Sequence, residues 1–547
     1  MHSRGIAGKS ARLVGAGVYF SEMSSDTHAR DLRNREAPLE IHGDEFRKLG
    51  HQLVDDIAGF LDGLPRRPVT TGELPHEIRR LLGSESLPQG GSPPEVLLEQ
   101  TTKLLFDHSL FNGHPKFWGY ITSSGAPIGL LADLLAATVN PNVGAAILSP
   151  VASEIEAQTI RWIADLIGYP GNCGGLLVSG GNMANFVCFL AARRMKAPWD
   201  IDAEGLSANK QRLVVYVSKE THAWIEKAAE LFGMGTQSIR WIATNHDQQM
   251  DVDALEQQII ADRADNHFPI MVVGAAGTVS TGAIDDLPQI ASICRKYDLW
   301  FHVDGAYGAP AAVLPDAPAE LLGLREADSI ALDPHKWLYS PLEAGCSLVR
   351  NPNHLLETFS HHPAYYNFEG SEDDPPINYH EYGPQNSRGF RALKVWLGLR
   401  HVGRDGYVQM ISDDIALARA LFDAAGRHPE LEPVTQHLSI TTFRFIPLGL
   451  TDDATTIEPY LNDLNEELLN RLQTCGEAFV SNAIVATKYV LRACIVNFRT
   501  TLSDVEALPE IVARLGRKLD SEMRPAALRG LTEPPHGGEQ QMPGAHP

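Results

Sequence analysis

The chain has 547 residues, 68 of them Asp or Glu and 46 Lys or Arg, for a formal net charge of -22 at pH 7. That balance, with no run of basic residues, argues against nucleic acid or an anionic membrane as a main partner. The six cysteines form no CxxC pair and no apolar run reaches the roughly eighteen residues of a spanning helix, so a cytoplasmic protein without disulfides or a metal site is expected.

Residues 1–38 are polar and aperiodic, which predicts a disordered extension; stretch 6–20 is too interrupted by Gly, Lys, Ser and Arg to be a secretory signal. Phe46, Leu49, Leu53, Ile57 and Leu61 then recur at helical spacing, and a second amphipathic stretch covers Pro94–His108, so 39–112 reads as a helical segment. His114 to Tyr120 packs aromatics densely on a loop, where they line a pocket or plug a core. Leu176–Val178 reads as a buried strand, Ser179-Gly180-Gly181-Asn182 as a tight turn and Met183–Met195 as a helix. Glycines at such a turn expose amide N–H groups at the positive end of a helix dipole, where phosphate binds.

A strand at Leu213–Val217 precedes His222, which opens a helix. Strand Ile270–Ala275, turn Gly277–Gly282, helix Leu287–Tyr297 and the apolar run Leu299–Val303 make a βαβ unit that delivers one carboxylate, Asp304, into the small-residue turn Gly305–Gly308. Units of this kind predict an α/β fold with a mostly parallel sheet and a site at the carboxyl ends of its strands. A further strand, Ser329–Leu332, leads into Asp333-Pro334-His335-Lys336-Trp337, where Pro334 biases Asp333 toward an extended backbone and the chain then bends, projecting Lys336 from the sheet edge. Lysine, aspartate and a flat aromatic platform together suit pyridoxal phosphate: the amine holds the cofactor covalently and the aspartate keeps its ring nitrogen protonated. A surface lysine and a helix-capping aspartate would explain either residue alone, but less well the pair in this order. Phe359–Asn386 lacks a period and reads as a long loop, a length usually reserved for lids. Helices and alternating strands after Gly406 predict a smaller α+β domain over 405–523 that follows a large domain over 113–404, and 524–547 reads as a disordered tail.

The segments His302–Tyr307 and Asp333–Trp337 resemble those of the group II pyridoxal-phosphate-dependent amino-acid decarboxylases, which include the aromatic-L-amino-acid, histidine and glutamate enzymes, and the resemblance runs from about Leu39 to Met523. It implies a fold-type I enzyme with a seven-stranded-type sheet, working on a small amino acid as a homodimer clasped by the helical segment. By the same carry-over, Lys336 and Asp304 hold pyridoxal 5'-phosphate. His222 stacks on its ring and is a candidate acid. Thr278 touches the ring or Asp304, and Gly181, Asn182, Ser329, Ala306 and His335 complete the cofactor contacts. Tyr365, in His362-Pro363-Ala364-Tyr365, matches a mobile-loop tyrosine that reaches the neighbouring subunit's site and donates a proton to Cα. Tyr120 matches a substrate-pocket tyrosine and Arg388 an arginine at the site entrance. Ser387 stands where plant members carry serine or glycine according to phenolic or indolic preference. Asp333 replaces an asparagine that helps hold phosphate in the animal enzymes; a carboxylate there repels phosphate unless it points away or caps an amide, so it is left out of the site. Ile121 and Thr122 replace Phe and Pro of the animal enzymes.

The implied activity is decarboxylation of an aromatic L-amino acid, tyrosine or dopa before tryptophan or phenylalanine. An aldehyde synthase is the nearest rival, disfavoured by Tyr365. A glutamate-type decarboxylase is disfavoured by Trp118, Tyr120 and the lack of an obvious cationic clamp. A catalytically dead scaffold is disfavoured by Lys336, Asp304, His222 and Tyr365 occurring together.

Overall fold

The computed structural model describes residue 35 and residues 37–361, 376–450 and 454–528. Seven strands form the larger sheet: β1 (Gly174–Val178), β2 (Leu213–Ser218), β3 (Ile239–Ile242), β4 (Phe268–Ala275), β5 (Trp300–Asp304), β6 (Ser329–Leu332) and β7 (Gly345–Val349), in the order β1-β7-β6-β5-β4-β2-β3. Strands β2 to β6 are parallel wherever they pair, while β7 runs antiparallel between β1 and β6. Sequences such as Leu-Val-Val-Tyr-Val in β2 lack polar alternation because both sheet faces are covered, and β2 and β6 are buried throughout. The sheet and its helices share one large core that includes Leu177, Val215, Val273, Val303 and Ile330.

Four antiparallel strands, β8 (Leu431–His437), β9 (Ile440–Phe445), β10 (Ser481–Val485) and β11 (Lys488–Cys494), form a second sheet in the order β10-β11-β9-β8. A helix spanning Ala392–Arg427, here α1, joins the two layers; its Val395, Tyr407 and Ile411 belong to the larger core and its Ala418, Leu421 and Ala425 to the smaller. Gly403 breaks α1 with φ 65° and ψ 179°, a conformation that glycine alone adopts without strain. The span is therefore two helices that meet at a kink at Gly403. Trp118 is 1% exposed inside the smaller core and Phe117 stacks on Phe479 at 5.2 Å, so these two aromatics plug a core.

The described residues up to Leu61 together with Gly90–Thr102 form a separate compact unit, in which Lys48 pairs with Glu95 at 2.9 Å; Asp62–Gln89 and the described residues from Lys103 on belong to the larger unit. Among the described residues no helix is long and apolar enough to cross a membrane, no cluster of side chains suits a metal ion, and the six cysteines are free. The expected loop at 359–386 contains a short 3-10 turn at Tyr379–Glu381, and its segment 362–375 lies outside the described residues.

Asp285, fully buried, fixes the end of β4 by accepting the amides of Ala275 at 2.8 Å and Met250 at 2.6 Å. Burial pushes its carboxyl up to about 6. Because the folded value is the higher one, the stability this group contributes is complete below about pH 4 and is lost as pH rises through about 6. Asp285→Ala should cost about 1–3 kcal/mol for each amide it orphans and flatten that pH slope; an unchanged urea midpoint would contradict the assignment.

Candidate active site

Parallel register sets the site. Ala275 pairs with Asp304 across β4 and β5, and Asp304 with Ala331 across β5 and β6, so three strands stop together and their following turns converge. Asp304 Oδ2 accepts the indole N–H of the buried Trp224 at 2.8 Å, and Oδ1 accepts the Ala306 amide at 3.2 Å. Two donors from different elements hold the carboxylate facing a pocket that Lys336, His222, Thr278, Ala306, Gly181 and Asn182 also line. Sequence reasoning thus brought together residues from five separate segments.

The opposite wall is the turn between β1 and the helix Gly181–Lys196, here α2. Gly180 has φ 135° and ψ 179°, open only to glycine, and the first amides of α2 have no acceptor within the helix. A Cβ on Gly345 of β7 would lie 2.6 Å from the Gly180 backbone, so the two chains pass each other closer than any side chain allows. Thr278 is buried, its hydroxyl 3.1 Å from that of Thr281. His222 sits at the pocket mouth with Nδ1 accepting the Trp224 amide at 3.2 Å. Burial of its inner face lowers its pKa, opposed by the Asp304 carboxylate, and this keeps the ring neutral at pH 7.

Asp333 neither points away nor caps an amide. It is 2% exposed, lines the pocket over Gly181 and takes the Lys336 ammonium at 3.0 Å on Oδ2, leaving Oδ1 without a hydrogen bond. Omitting it from the site is corrected by this geometry.

Several expected contacts fall elsewhere. Ser329 is wholly buried opposite His302, two residues back from Asp304, lies 2.8 Å from both Trp300 Nε1 and His302 Nδ1, and does not reach the pocket as a phosphate ligand. His302 in turn contacts Asn185 Oδ1 at 2.7 Å, and burial lowers its pKa to about 4. Asn185, which the sequence reading overlooked, is the member of this network that lines the pocket. Arg388 is not at the entrance: its guanidinium is buried against Glu156 at 2.5 Å, binds the carbonyls of Leu177 and Val143 and stacks over Tyr379. Glu156 accepts the Leu177 amide at 2.8 Å, so this ion pair clamps β1 just before the glycine turn. Ser387 is exposed and lines no part of the pocket. Tyr120 is 58% exposed beside Phe479, and its neighbour Ile121 lines the pocket instead. His335 lies behind the glycine turn with Nδ1 on Ala344, lining a shallower adjoining hollow. Tyr365 lies outside the described residues. Arg492, also overlooked, is 2% exposed and leaves Nε and Nη2 without acceptors among the described residues, while Nη1 binds the Tyr120 carbonyl and Ser481.

The pocket fits pyridoxal phosphate, provided that the Asp333 carboxylate over Gly181 stays neutralised, as it is here by the Lys336 ammonium at 3.0 Å. A helix start cradled by Gly180 and Gly181 can take its phosphate, Asp304 is fixed for a ring nitrogen and Lys336 reaches the same space. Such a site at the end of a mostly parallel sheet defines a fold-type I pyridoxal-phosphate enzyme. The chain belongs to the pyridoxal-dependent decarboxylases: the pyridoxal-dependent decarboxylase conserved domain matches residues 75–445. It is 36% identical to an aromatic-L-amino-acid decarboxylase of Bacillus atrophaeus over 85% of this chain and 94% of that protein. It is 30% identical to tyrosine decarboxylase 4 of Petroselinum crispum over 85% and 92%. The structure of Catharanthus roseus tryptophan decarboxylase with L-tryptophan superposes with a TM-score of 0.79 at 26% identity, covering 88% of this chain and all of that one. The protein is a carboxy-lyase with pyridoxal 5'-phosphate as its cofactor.

Glu156→Leu should strip the counter-charge from a buried arginine and cost about 3–5 kcal/mol, read as a lowered urea midpoint. A midpoint within error of wild type would mean that Arg388 finds solvent.

Proposed function

We propose that this chain decarboxylates an aromatic L-amino acid, tyrosine or dopa before tryptophan or phenylalanine, releasing the amine and carbon dioxide. The observation that carries the reading is the convergence of Lys336, Asp304, His222 and Thr278 on one pocket at the strand ends. The aromatic class is supported by the relatives' activities rather than by Trp118 or Tyr120, since one is a core residue and the other faces solvent.

Pyridoxal phosphate, when bound, supplies the electron sink for the bond that loses carbon dioxide. The α2 amides with Gly181 and Asn182 bind its phosphate, Asp304 holds a proton on the ring nitrogen, and Lys336 provides the amine that attaches and releases it. His222, neutral at pH 7, presents a flat face without adding charge to the pocket. Thr278 and Ala306 border the ring's seat, and Tyr365 delivers the proton that Cα takes up after carbon dioxide has gone.

Incubation with tyrosine, dopa, tryptophan, phenylalanine and glutamate under air, with Lys336→Ala as control, tests these readings together. Tyramine or dopamine with carbon dioxide is expected from the wild type alone; γ-aminobutyrate would transfer the assignment to the acidic class. Tyr365→Phe should lower amine formation by about two to four powers of ten while cofactor binding persists, with aldehyde and peroxide as the diverted products. Amine release at the wild-type rate would remove Tyr365 from the donor role.

The working form is proposed to be a cytoplasmic homodimer. The helix Pro127–Val139 supports this, because Leu130, Leu131, Leu134, Leu135 and Val139 are 40–73% exposed on one short element, more apolar surface than a solvated helix tolerates. Sedimentation should give twice the chain mass, and Leu131→Asp with Leu135→Asp should halve it; a wild-type monomer would refute the dimer.

A further inference from the structure

The cofactor lysine is useful only if its turn is held in one place, and this turn is strained. Tyr339, three residues after Lys336, has φ 56°, a left-handed conformation that costs a bulky residue on the order of 1 kcal/mol or more. Backbone bonds close the turn, from Lys336 N to Asp333 O at 2.8 Å and from Tyr339 N to Lys336 O at 3.1 Å. The side chains on either side of Leu338 meet again on one atom: Trp337 Nε1 at 2.8 Å and Tyr339 Oη at 2.5 Å both donate to Oδ2 of Asp414. Asp414 is 2% exposed on the second half of α1, between Ile411 of the larger core and Ala418 of the smaller. From the same helix, Tyr407 donates to the Leu338 carbonyl at 3.2 Å. The other face of Trp337 stacks on Tyr307 at 4.9 Å and 15°, and Tyr307 belongs to the turn that follows Asp304. One carboxylate oxygen thus terminates a row of contacts that joins the lysine turn to the aspartate turn.

We propose that Asp414 is a positioning residue for Lys336, holding Trp337 and Tyr339 so that the lysine turn keeps its place against the turn after Asp304. This rests on the reading of Lys336 as the cofactor lysine; Asp414 itself touches neither cofactor nor substrate. Burial pushes its carboxyl up to about 7, so its ionised form is costly here, and an apolar replacement would leave the buried Trp337 and Tyr339 donors unpaired. Such a residue would supply no acceptor for the two donors that fix a strained turn.

The test compares Asp414→Leu, which keeps the branched shape but no acceptor, with Asp414→Asn, which keeps an acceptor oxygen. For each, three quantities are measured: the rate at which apoprotein captures pyridoxal phosphate, read by the visible absorbance of the bound cofactor and by borohydride trapping on Lys336; kcat and KM separately; and the melting temperature. The leucine variant is expected to capture cofactor about 10- to 100-fold more slowly and to lose kcat by a similar factor, with KM unchanged, because small misplacements of a reacting group carry penalties of that size. The asparagine variant should recover most of both. Wild-type capture and kcat in the leucine variant would overturn the proposal, as would an asparagine variant that falls as far as leucine. Should the leucine variant not fold, Tyr339→Phe, which deletes one donor, decides alike: slower capture at unchanged KM supports the proposal and wild-type capture overturns it. Failure of the lysine reading would show separately, as wild-type capture by Lys336→Ala.

Discussion

A lysine and an aspartate from different strands meet in this protein because β4, β5 and β6 run parallel and in register. In an antiparallel meander alternate turns point to opposite edges, and the turns after Ala275, Asp304 and Leu332 would not share a pocket. Parallel pairing sends all three to one edge. The αβ crossovers that parallel strands require then bring the start of α2 to the same edge, with its unsatisfied amides outward. On the proposed reading a charged, phosphate-bearing cofactor would be held there largely by backbone geometry.

That division explains what the sequence disclosed. Helices Pro94–His108 and Leu287–Tyr297 and strand Ser329–Leu332 have the bounds that their apolar periods and flanking residues predict. Lys336, Asp304, Gly181 and Thr278 were legible because each stands at a strand or helix end, where a polar or glycine residue interrupts an apolar run. Ser329 and Arg388 were misread for a complementary reason: a position in a motif tells which segment a residue belongs to, and not what that residue touches. Ser329 is the first residue of β6, opposite His302 and so two residues short of Asp304, and His302 and Trp300 satisfy it there. Arg388 turns inward to a glutamate far upstream, a pairing that no local pattern encodes. The antiparallel β7 was missed because five residues, Gly-Cys-Ser-Leu-Val, carry too little period to reveal a strand, still less its direction.

The polar groups buried between the sheet and α2 show how the fold spends its interior. His302, Ser329, Asn185 and Trp300 form a chain of hydrogen bonds between β5, β6 and α2, with the histidine kept neutral by burial. Each member satisfies another, so the network is tolerated in an apolar core and fixes how α2 sits on the sheet. The glycine turn is thereby supported from beneath by this network and from the side by the Arg388–Glu156 clamp on β1.

The placement of β7 has a consequence for how the protein comes into being. Among the described residues strand β1 pairs only with β7, residue by residue from Gly174 with Val349 to Val178 with Gly345. While the chain is being synthesised, the strand that carries the glycine turn therefore waits without a partner until sequence far downstream has left the ribosome. Contacts of such wide separation form late in folding because the intervening loop must close first. The phosphate seat is thus among the last parts of the larger layer to be completed, and a nascent chain cannot hold the cofactor before both halves of the sheet are present.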